Sequence, residues 1–231
     1  MGYDIKVFSP TQHSLARRKH IIEQNLVSTV LDVGANTGQW ARQLRNDLGY
    51  PHRIISFEPL KHAYRALEES AKNDPLWDVL PHALGRESGF VDINVANNSQ
   101  SSSMLKMLDA HVVSAPESEY IGTEKIEIKR LDEMYDSLGI GSSKTYLKID
   151  TQGFEEHVVD GAHGVLDQID LIQLELSLVP LYEGEPLLET MCAKMRALNY
   201  TIVALEESGF SDPATGHLLQ VDAIFKRHNP S

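Results

Sequence analysis

The sequence predicts one α/β domain in which short buried strands alternate with helices. Short apolar runs rich in β-branched side chains recur along the chain, and stretches with a helical apolar period separate them. In the middle of the chain, apolar and polar residues alternate strictly, which indicates antiparallel strands inserted into this arrangement. With 231 residues, of which 42% are hydrophobic, the chain is long enough to bury a substantial core.

The first strand and the first helix flank a turn that contains two glycines. Residues 27–33 form a leucine-rich, β-branched run that predicts a buried strand, and residues 39–48 have the apolar spacing of a helix that ends at Gly49. Gly34 and Gly38 lie between them. Such a turn presents backbone N–H groups and the positive end of a helix dipole at one point. We therefore predict that it binds a cofactor.

The second strand, Arg53–Phe57, ends at an acidic residue. Glu58 follows Gly38 by 20 residues, and an acid at this position can accept hydrogen bonds from both hydroxyl groups of a ribose. The glycine turn and the acid together predict a cofactor that contains a nucleoside.

The spacing within the turn distinguishes between such cofactors. A dinucleotide-binding turn has the pattern G-x-G-x-x-G, whose middle glycine lets the backbone approach a pyrophosphate. Here the pattern is D-x-G-x-x-x-G, and the side chains of Asn36 and Thr37 would crowd a pyrophosphate but can hydrogen-bond a smaller zwitterion. Asp32 adds a negative charge suited to an ammonium group. The spacing predicts S-adenosylmethionine, with its amino-acid end at this turn.

The third strand, residues 76–80, leads into a segment that we expect to complete the cofactor site. The backbone of His82 and Ala83 would contact the edge of the adenine. The strict alternation then begins, with half-buried antiparallel strands predicted at 91–95 and 126–128.

A long serine-rich segment, residues 97–122, separates these two strands. It is too long for an ordinary connection, and such loops in compact domains are usually functional or disordered. We predict that residues 86–130 are an insertion that carries a lid over the site.

The alternation of strands and helices returns after the insertion. The last two predicted strands are close enough in sequence to pair as an antiparallel hairpin at the sheet edge. We expect residues 1–231 to form one domain, with residues 1–24 as an N-terminal extension. The predicted elements are a strand at 145–149, a helix marked by Phe154, Val158, Ala162 and Leu166, a strand at 171–176, a helix at 187–198, and strands at 200–205 and 218–225.

Two carboxylates follow neighbouring strands of the predicted sheet. Asp150 ends one strand and Glu175 lies near the end of the next, and ligands of open α/β sheets bind beyond these strand ends. Both could act as a base, as a substrate clamp or as ligands of a divalent metal. Alternatively, Asp150 caps the helix that begins near Gly153, and Glu175 is a buried partner of a lysine or a backbone amine. A full set of metal ligands is not evident, so metal dependence is not favoured.

Residues of the insertion are candidates for the acceptor side of the site. His111 is a natural base because its ordinary pKa is near neutrality, and a lid would bring it to the acceptor. Ser101, Ser102 and Ser103 could hydrogen-bond a polyhydroxylated acceptor. The alternative for the serines is a flexible polar loop.

Several motifs occur in order along the chain: residues 31–38, Phe57-Glu58-Pro59, Ala83-Leu84-Gly85, Ser101-Ser102-Ser103, Arg130-Leu131-Asp132 and residues 147–155. Together they resemble the FkbM-type methyltransferases over about residues 25–225. The resemblance implies a class I, Rossmann-like fold that uses S-adenosylmethionine, with a mostly parallel seven-stranded sheet, and it adds Pro59 to the cofactor site. It also implies methylation of hydroxyl groups, commonly on sugars, glycolipids or natural products. Gln152 departs from the family pattern, since many members carry Glu there, and this weakens a metal role.

Composition narrows the remaining choices. The net charge of −12 disfavours a nucleic-acid binder, and we expect the cluster Arg17–His20 to be a solvated helix face. Cys192 is the only cysteine, which excludes an internal disulfide, and no apolar run is long enough for a membrane span. These features predict a cytoplasmic enzyme that acts on a small molecule or glycan. The alternatives are a nicotinamide-dependent short-chain oxidoreductase and a cofactor-binding scaffold without turnover.

Overall fold

The computed structural model describes residues 6–228, and over this range strands and helices alternate as the sequence predicts. The strands are β1 (Thr29–Val33), β2 (Arg53–Phe57), β3 (Trp77–Leu80), β4 (Ala83–Leu84), β5 (Gly89–Ala96), β6 (Tyr120–Lys129), β7 (Thr145–Ile149), β8 (Ile169–Ser177), β9 (Tyr200–Glu207) and β10 (Gln220–Arg227). The α-helices are α1 (Ser14–Gln24), α2 (Gln39–Asn46), α3 (Lys61–Ala71), α4 (Asp109–Ser114), α5 (Leu131–Met134), α6 (Glu155–Gly161) and α7 (Leu188–Ala197).

The main sheet has seven strands in the order β3-β2-β1-β7-β8-β10-β9. The first five of these are parallel, and β10 is antiparallel to both β8 and β9. This confirms the mostly parallel, Rossmann-like sheet with an antiparallel hairpin at one edge. The strand order reverses between β1 and β7, and ligands of such sheets bind at this reversal, beyond the carboxyl ends of the strands.

Helices cover both faces of this sheet. Val30 of β1 packs in one apolar cluster with Leu44 of α2, whereas its neighbour Leu31 packs in the opposite cluster with Val158 of α6. Because side chains alternate between the faces and both faces are covered, β1 and β7 are buried along their whole length. This explains why these strands are not marked in the sequence by strict alternation of apolar and polar residues.

The inserted segment builds a second, three-stranded sheet in the order β4-β6-β5. Strands β5 and β6 are antiparallel, as predicted, but β4 is a strand that the sequence does not indicate. Ile93, Ile126 and Ile128 of this sheet pack against Leu60 and Ala63 at the start of α3. The serine-rich segment between β5 and β6 is also ordered in part as a helix, α4.

The predicted helix after β7 is shorter than its apolar stripe indicates. Helix α6 ends at Gly161, and a 3-10 segment, His163–Gln168, follows it. Gly161 packs directly on the main chain before β5, since a Cβ atom there would lie 1.9 Å from the Gly85 carbonyl oxygen. The stripe residues Val158 and Leu166 are nevertheless buried, so the predicted apolar face is correct although the helix is not continuous.

The predicted N-terminal extension contains α1, and Ile22 of this helix packs in the core of the domain. Residues 1–5 of the extension lie outside the described residues. The prediction of a solvated basic face is wrong for Arg18, because its Nη2 lies 2.5 Å from Glu206 Oε2 on β9 and both side chains are buried. None of the helices in residues 6–228 has the length and apolar composition needed to cross a bilayer.

Candidate functional site

A cavity of about 340 Å³ lies where the strand order reverses, at the carboxyl ends of β1, β2 and β7. This volume is within the range typical of small-molecule sites. Residues from the insertion, including Ser99 and Met104, form part of its wall. Several of the residues predicted to bind the cofactor line it: Gly34, Asn36, Glu58, Pro59, His82 and Ala83.

Gly34 allows two strand ends to meet at the cavity. Its φ of +74° lies in the left-handed region, and a Cβ atom there would lie 1.8 Å from the carbonyl oxygen of Asp150. The turn after β1 can therefore contact the end of β7 only if this residue is glycine.

Gly38 and Thr37 complete the turn without lining the cavity. Gly38 is the N-cap of α2 with a φ of +85°, and a Cβ atom there would press on Leu67 and Trp77 at 2.9 Å. The carbonyl oxygen of Thr37 accepts a hydrogen bond of 2.6 Å from Arg42. Thr37 and Gly38, which the sequence predicts to bind the cofactor, thus contribute to the shape of the turn and do not border the cavity.

Glu58 holds the same turn from the end of β2. Its Oε2 accepts a 2.8 Å hydrogen bond from the backbone N–H of Asn36, and its Oε1 accepts one of 2.9 Å from that of Leu60. Burial raises the pKa of Glu58 to about 7, although these two backbone hydrogen bonds oppose the shift. Each carboxylate oxygen can accept a second hydrogen bond, so the ribose role predicted for Glu58 is compatible with both contacts.

Asp32 is fully buried in β1 and does not line the cavity. Its Oδ1 lies 3.2 Å from the Nζ of Lys148, and its Oδ2 accepts a 3.2 Å hydrogen bond from Ser56. Asp32 therefore acts on the site through Lys148. Lys148 itself lines the cavity, and its Nζ lies 3.4 Å from Asp150 Oδ2. Burial opposes the charge of Lys148, but the carboxylates of Asp150 and Asp32 outweigh it and raise its pKa.

Asp150 and Glu175 lie together at the cavity, as the positions of their strands predict. The side-chain amide of Gln152 joins them, because its Nε2 donates to Asp150 Oδ1 at 2.8 Å and to Glu175 Oε2 at 2.9 Å. Burial, and the nearby carboxyl groups of Asp150, Asp222 and Glu155, raise the pKa of Glu175 well above its ordinary value. A carboxyl group with a raised pKa next to a cavity has the character of a general base.

Asp150 does not cap the helix that follows it, because Phe154 is the N-cap residue of α6. Oε1 of Glu155, the first residue of α6, accepts hydrogen bonds from the backbone N–H and the hydroxyl of Thr151 at 2.8 and 3.2 Å. The side chain of Asp150 is therefore directed to Lys148 and Gln152 instead.

His111 does not reach the cavity, although the sequence suggests it as a base. Only 2% of its surface is exposed, its Nδ1 lies 2.9 Å from Ser118 Oγ, and its Nε2 lies 3.1 Å from the Tyr182 hydroxyl. Burial lowers the pKa of His111. The insertion places this histidine in its interior, whereas Ser99, Ser102 and Met104 of the same segment line the cavity.

The three serines of the insertion have separate roles. Ser102 lines the cavity, and its Oγ accepts a 3.0 Å hydrogen bond from the backbone of Ala96. Ser103 is buried and donates to the carbonyl oxygen of Gln152 at 2.7 Å. Ser101 is buried and accepts from Asn98. The part of the insertion that carries them is thus tied down by hydrogen bonds, and Ser102 alone of the three faces the cavity.

His82 lies at the opposite wall of the cavity. Its Nδ1 is 3.1 Å from Glu127 Oε2 and its Nε2 is 3.2 Å from Lys129 Nζ, both on β6. Burial and the nearby Lys129 lower its pKa. The imidazole therefore connects this wall to the second sheet, which leaves the backbone of this segment as the part predicted to face an adenine.

Three residues that border or support the site were not selected from the sequence: Trp40, Lys148 and Tyr182. Lys148 lies within the motif at residues 147–155. A lysine inside a predicted central strand is unusual, and this could have indicated that Lys148 has a role in the site. Tyr182 lies outside every motif, and its proximity to Gln152 depends on tertiary structure.

The residues from 6 to 228 include no group of three or more His, Cys, Asp or Glu side chains placed to hold a metal ion. Asp150 and Glu175 are the predicted metal ligands, and both accept hydrogen bonds from the Gln152 amide.

Solved structures with related shapes have low sequence identity to the chain. LepI in complex with SAM is 11% identical, with a TM-score of 0.44, and the match covers 90% of this chain and 46% of LepI. The fibrillarin/Nop5p complex is 14% identical, with a TM-score of 0.48 and coverages of 98% and 89%. An rRNA methylase from Streptococcus thermophilus is 7% identical, with a TM-score of 0.48 and coverages of 94% and 98%. This chain spans about half the length of LepI.

These likenesses support no conclusion about activity, and no curated protein matches the chain significantly. A family model gives the assignment instead. The model for the methyltransferase FkbM domain matches residues 32–202, which is more than half of the chain and contains the glycine turn, Glu58 and both cavity carboxylates. The chain therefore belongs to the FkbM methyltransferase family.

Proposed function

We propose that the cavity binds S-adenosylmethionine and that the protein transfers a methyl group to a hydroxyl of a sugar, a glycolipid or another small natural product. One observation carries the proposal. Glu58 at the end of β2 and the pair Asp150 and Glu175 at the ends of β7 and β8 border a single cavity. A ribose-binding acid and a basic carboxylate are thus placed within one site, in a chain of a methyltransferase family.

The residues present fit this cofactor. The acidic side chains Glu58, Asp150 and Glu175 border the cavity and Lys148 is a basic residue among them, a balance that favours a ligand with a sulfonium and an ammonium group. The aromatic side chain of Trp40 also lines the cavity. We assign the ribose to Glu58, the amino-acid end to Gly34 and Asn36, and the adenine to His82 and Ala83.

S-adenosylmethionine supplies an electrophilic methyl group and leaves as a neutral thioether. The chain must orient an acceptor hydroxyl and remove its proton, and a positioned base typically contributes a factor of about 10² to 10⁴. Glu175 is our proposed base. Since its Oε2 accepts from Gln152, its Oε1 is the oxygen that receives the proton. Asp150, held between Lys148 and Gln152, orients the acceptor.

A transfer assay tests this function. The protein is incubated with S-adenosylmethionine and a panel of glycan, glycolipid and small polyol acceptors, and products are examined by mass spectrometry for the mass of one added methyl group. We expect a methylated product with wild type and a loss of turnover of about 10²-fold or more in Glu175→Gln. Failure of wild type to methylate any hydroxylated acceptor, with cofactor binding intact, would favour the scaffold without turnover. Transfer to nitrogen in place of oxygen would also contradict the proposal.

The metal dependence of the activity and the location of the protein are further expectations. We expect turnover to survive exhaustive chelation, because Gln152 supplies the positive ends of two N–H bonds between the carboxylates. Activity that is lost on chelation and restored by magnesium would contradict this. A cytoplasmic location and a small-molecule partner stay predictions.

A further inference from the structure

A hydrogen-bonded chain of side chains connects the buried centre of the insertion to the cavity carboxylates. His111 Nε2 lies 3.1 Å from the Tyr182 hydroxyl, and this hydroxyl donates to Gln152 Oε1 at 2.8 Å. Gln152 Nε2 then donates to Asp150 and to Glu175. The side chains of His111 and Tyr182 are buried, so water does not compete for these bonds.

The donors in this chain follow from Asp150, whose carboxylate is paired with Lys148 and accepts hydrogen bonds. The Gln152 atom that contacts Asp150 is therefore the nitrogen. The amide oxygen then faces Tyr182, whose single O–H must donate to it. Tyr182 can therefore only accept from His111, which places a proton on His111 Nε2. Each member thus sets the orientation of the next.

The backbone around Gln152 depends on the same neighbours. Gln152 has a φ of +57° and Gly153 a φ of +89°, two consecutive left-handed residues. Tyr182 packs against this turn, because a Cβ atom on Gly153 would lie 3.0 Å from its side chain. Ser103 of the insertion holds the turn from the other side through its bond to the Gln152 carbonyl. A non-glycine residue in this conformation persists when its surroundings fix it.

We propose that Gln152, oriented by Tyr182 and through it by His111, is a positioning residue that holds Asp150 and Glu175 as a pair facing the acceptor. This inference rests on the proposed function and deepens it. It gives His111 a structural link to the chemistry in place of the role of a base, and it makes the folded insertion part of the catalytic geometry. The amide carries two donors and no charge, so it brings two acidic groups together without adding a third.

The test has a kinetic part and a spectroscopic part. Tyr182→Phe removes the hydroxyl that fixes the amide, and we expect kcat to fall about tenfold while the Kd for S-adenosylmethionine stays within about twofold. In ¹⁵N spectra, the side-chain amide of Gln152 is assigned by its absence in Gln152→Ala. Its hydrogen exchange should be slow in wild type and at least about tenfold faster in Tyr182→Phe. This second readout requires neither cofactor nor turnover.

Two comparisons separate positioning from general stability. Tyr200→Phe removes another buried hydroxyl, one that donates to main-chain carbonyl oxygens of Leu166 and Ile169 and does not border the cavity, and it should leave both readouts unchanged. His111→Gln keeps a donor near the position of Nε2, whereas His111→Phe keeps only the ring shape. We expect the Gln variant to retain much more of kcat than the Phe variant.

The inference is overturned if Tyr182→Phe matches Tyr200→Phe in kcat and in amide exchange, or if His111→Gln and His111→Phe are equally impaired. Failure of the proposed function has a different signature. In that case wild type shows no methyl transfer, whereas the exchange of the Gln152 amide still responds to Tyr182→Phe.

Discussion

At the scale of single residues, the site depends on groups whose environment permits no close substitute. Gly34 is needed because its neighbour is a backbone oxygen, which cannot move aside as the end of a flexible side chain can. Glu58 is needed because its two oxygens accept from backbone N–H groups on two different segments. Both residues were predicted from sequence spacing alone, and the structure supplies the contacts that explain them.

Gly34→Ala should destabilise the protein by at least about 3 kcal/mol more than Gly49→Ala. Both glycines have positive φ values, +74° and +67°, so both variants carry the backbone cost of about 1–2 kcal/mol for a left-handed alanine. No atom lies within 4 Å of a Cβ placed on Gly49, whereas one placed on Gly34 meets the Asp150 carbonyl. Urea denaturation of the two variants measures the difference. Equal free energies of unfolding would show that the turn can relax and that the contact is not required.

Glu58 should make stability depend on pH. Its pKa is about 7 in the folded protein against 4.5 as its ordinary value, so the folded state binds more protons between these values. The free energy of unfolding contributed by this group is therefore full below about pH 4.5 and is lost as the pH rises through 7. Glu58→Gln does not titrate at this position. The free energy of unfolding of this variant relative to wild type should therefore rise as the pH increases from about 4.5 to 7, and it should stay constant at higher pH. Urea denaturation at a series of pH values measures the gap, and a gap that stays constant with pH would contradict the shift.

At the scale of elements, helix α1 is fixed to the far edge of the sheet by a buried ion pair. Arg18 contacts Glu206 of β9 at 2.5 Å and Asp222 of β10 at 3.5 Å. The guanidinium also lies over the ring of Trp40, 5.9 Å from its centroid, so α1 contacts a residue of the cavity wall. The N-terminal segment that we predicted to be an extension thus contacts a residue that lines the cavity.

Arg18→Leu should cost about 3–5 kcal/mol, because it leaves Glu206 buried without its partner. The double variant Arg18→Leu/Glu206→Leu removes both charges and should recover a substantial part of this loss. Chemical denaturation of wild type, the two single variants and the double variant provides the cycle. A single-variant cost below about 1 kcal/mol, or a double variant no more stable than Arg18→Leu, would show that the pair does not fix α1.

At the scale of the whole molecule, the parts of the site that could be predicted are those encoded by neighbours in sequence. The strand, turn and helix around Gly34, and Glu58 after the next strand, follow from local patterns and from the rule that parallel strands end at one edge. The same rule predicts that Asp150 and Glu175 lie close together. The position of His111 could not be predicted, because it depends on how the insertion folds onto Tyr182, which is 71 residues away along the chain.

The same distinction between local patterns and long-range contacts explains where prediction from the sequence failed. Arg18 has the composition of a solvated face, and only the tertiary arrangement of β9 and β10 provides the carboxylates that bury it. Strand β4 is two residues long, too short for any periodicity, and it exists because β6 pairs with it. Local patterns identify the residues that we propose to bind the cofactor, and long-range contacts determine those that we propose to face the acceptor.

We propose that this cavity binds S-adenosylmethionine, and isothermal titration calorimetry of the full chain with S-adenosylmethionine, S-adenosylhomocysteine and NAD measures this binding. We predict that both methionine derivatives bind at one site per chain, that Glu58→Ala weakens the binding of both, and that NAD does not bind. Tight binding of NAD with no affinity for either methionine derivative would contradict this proposal.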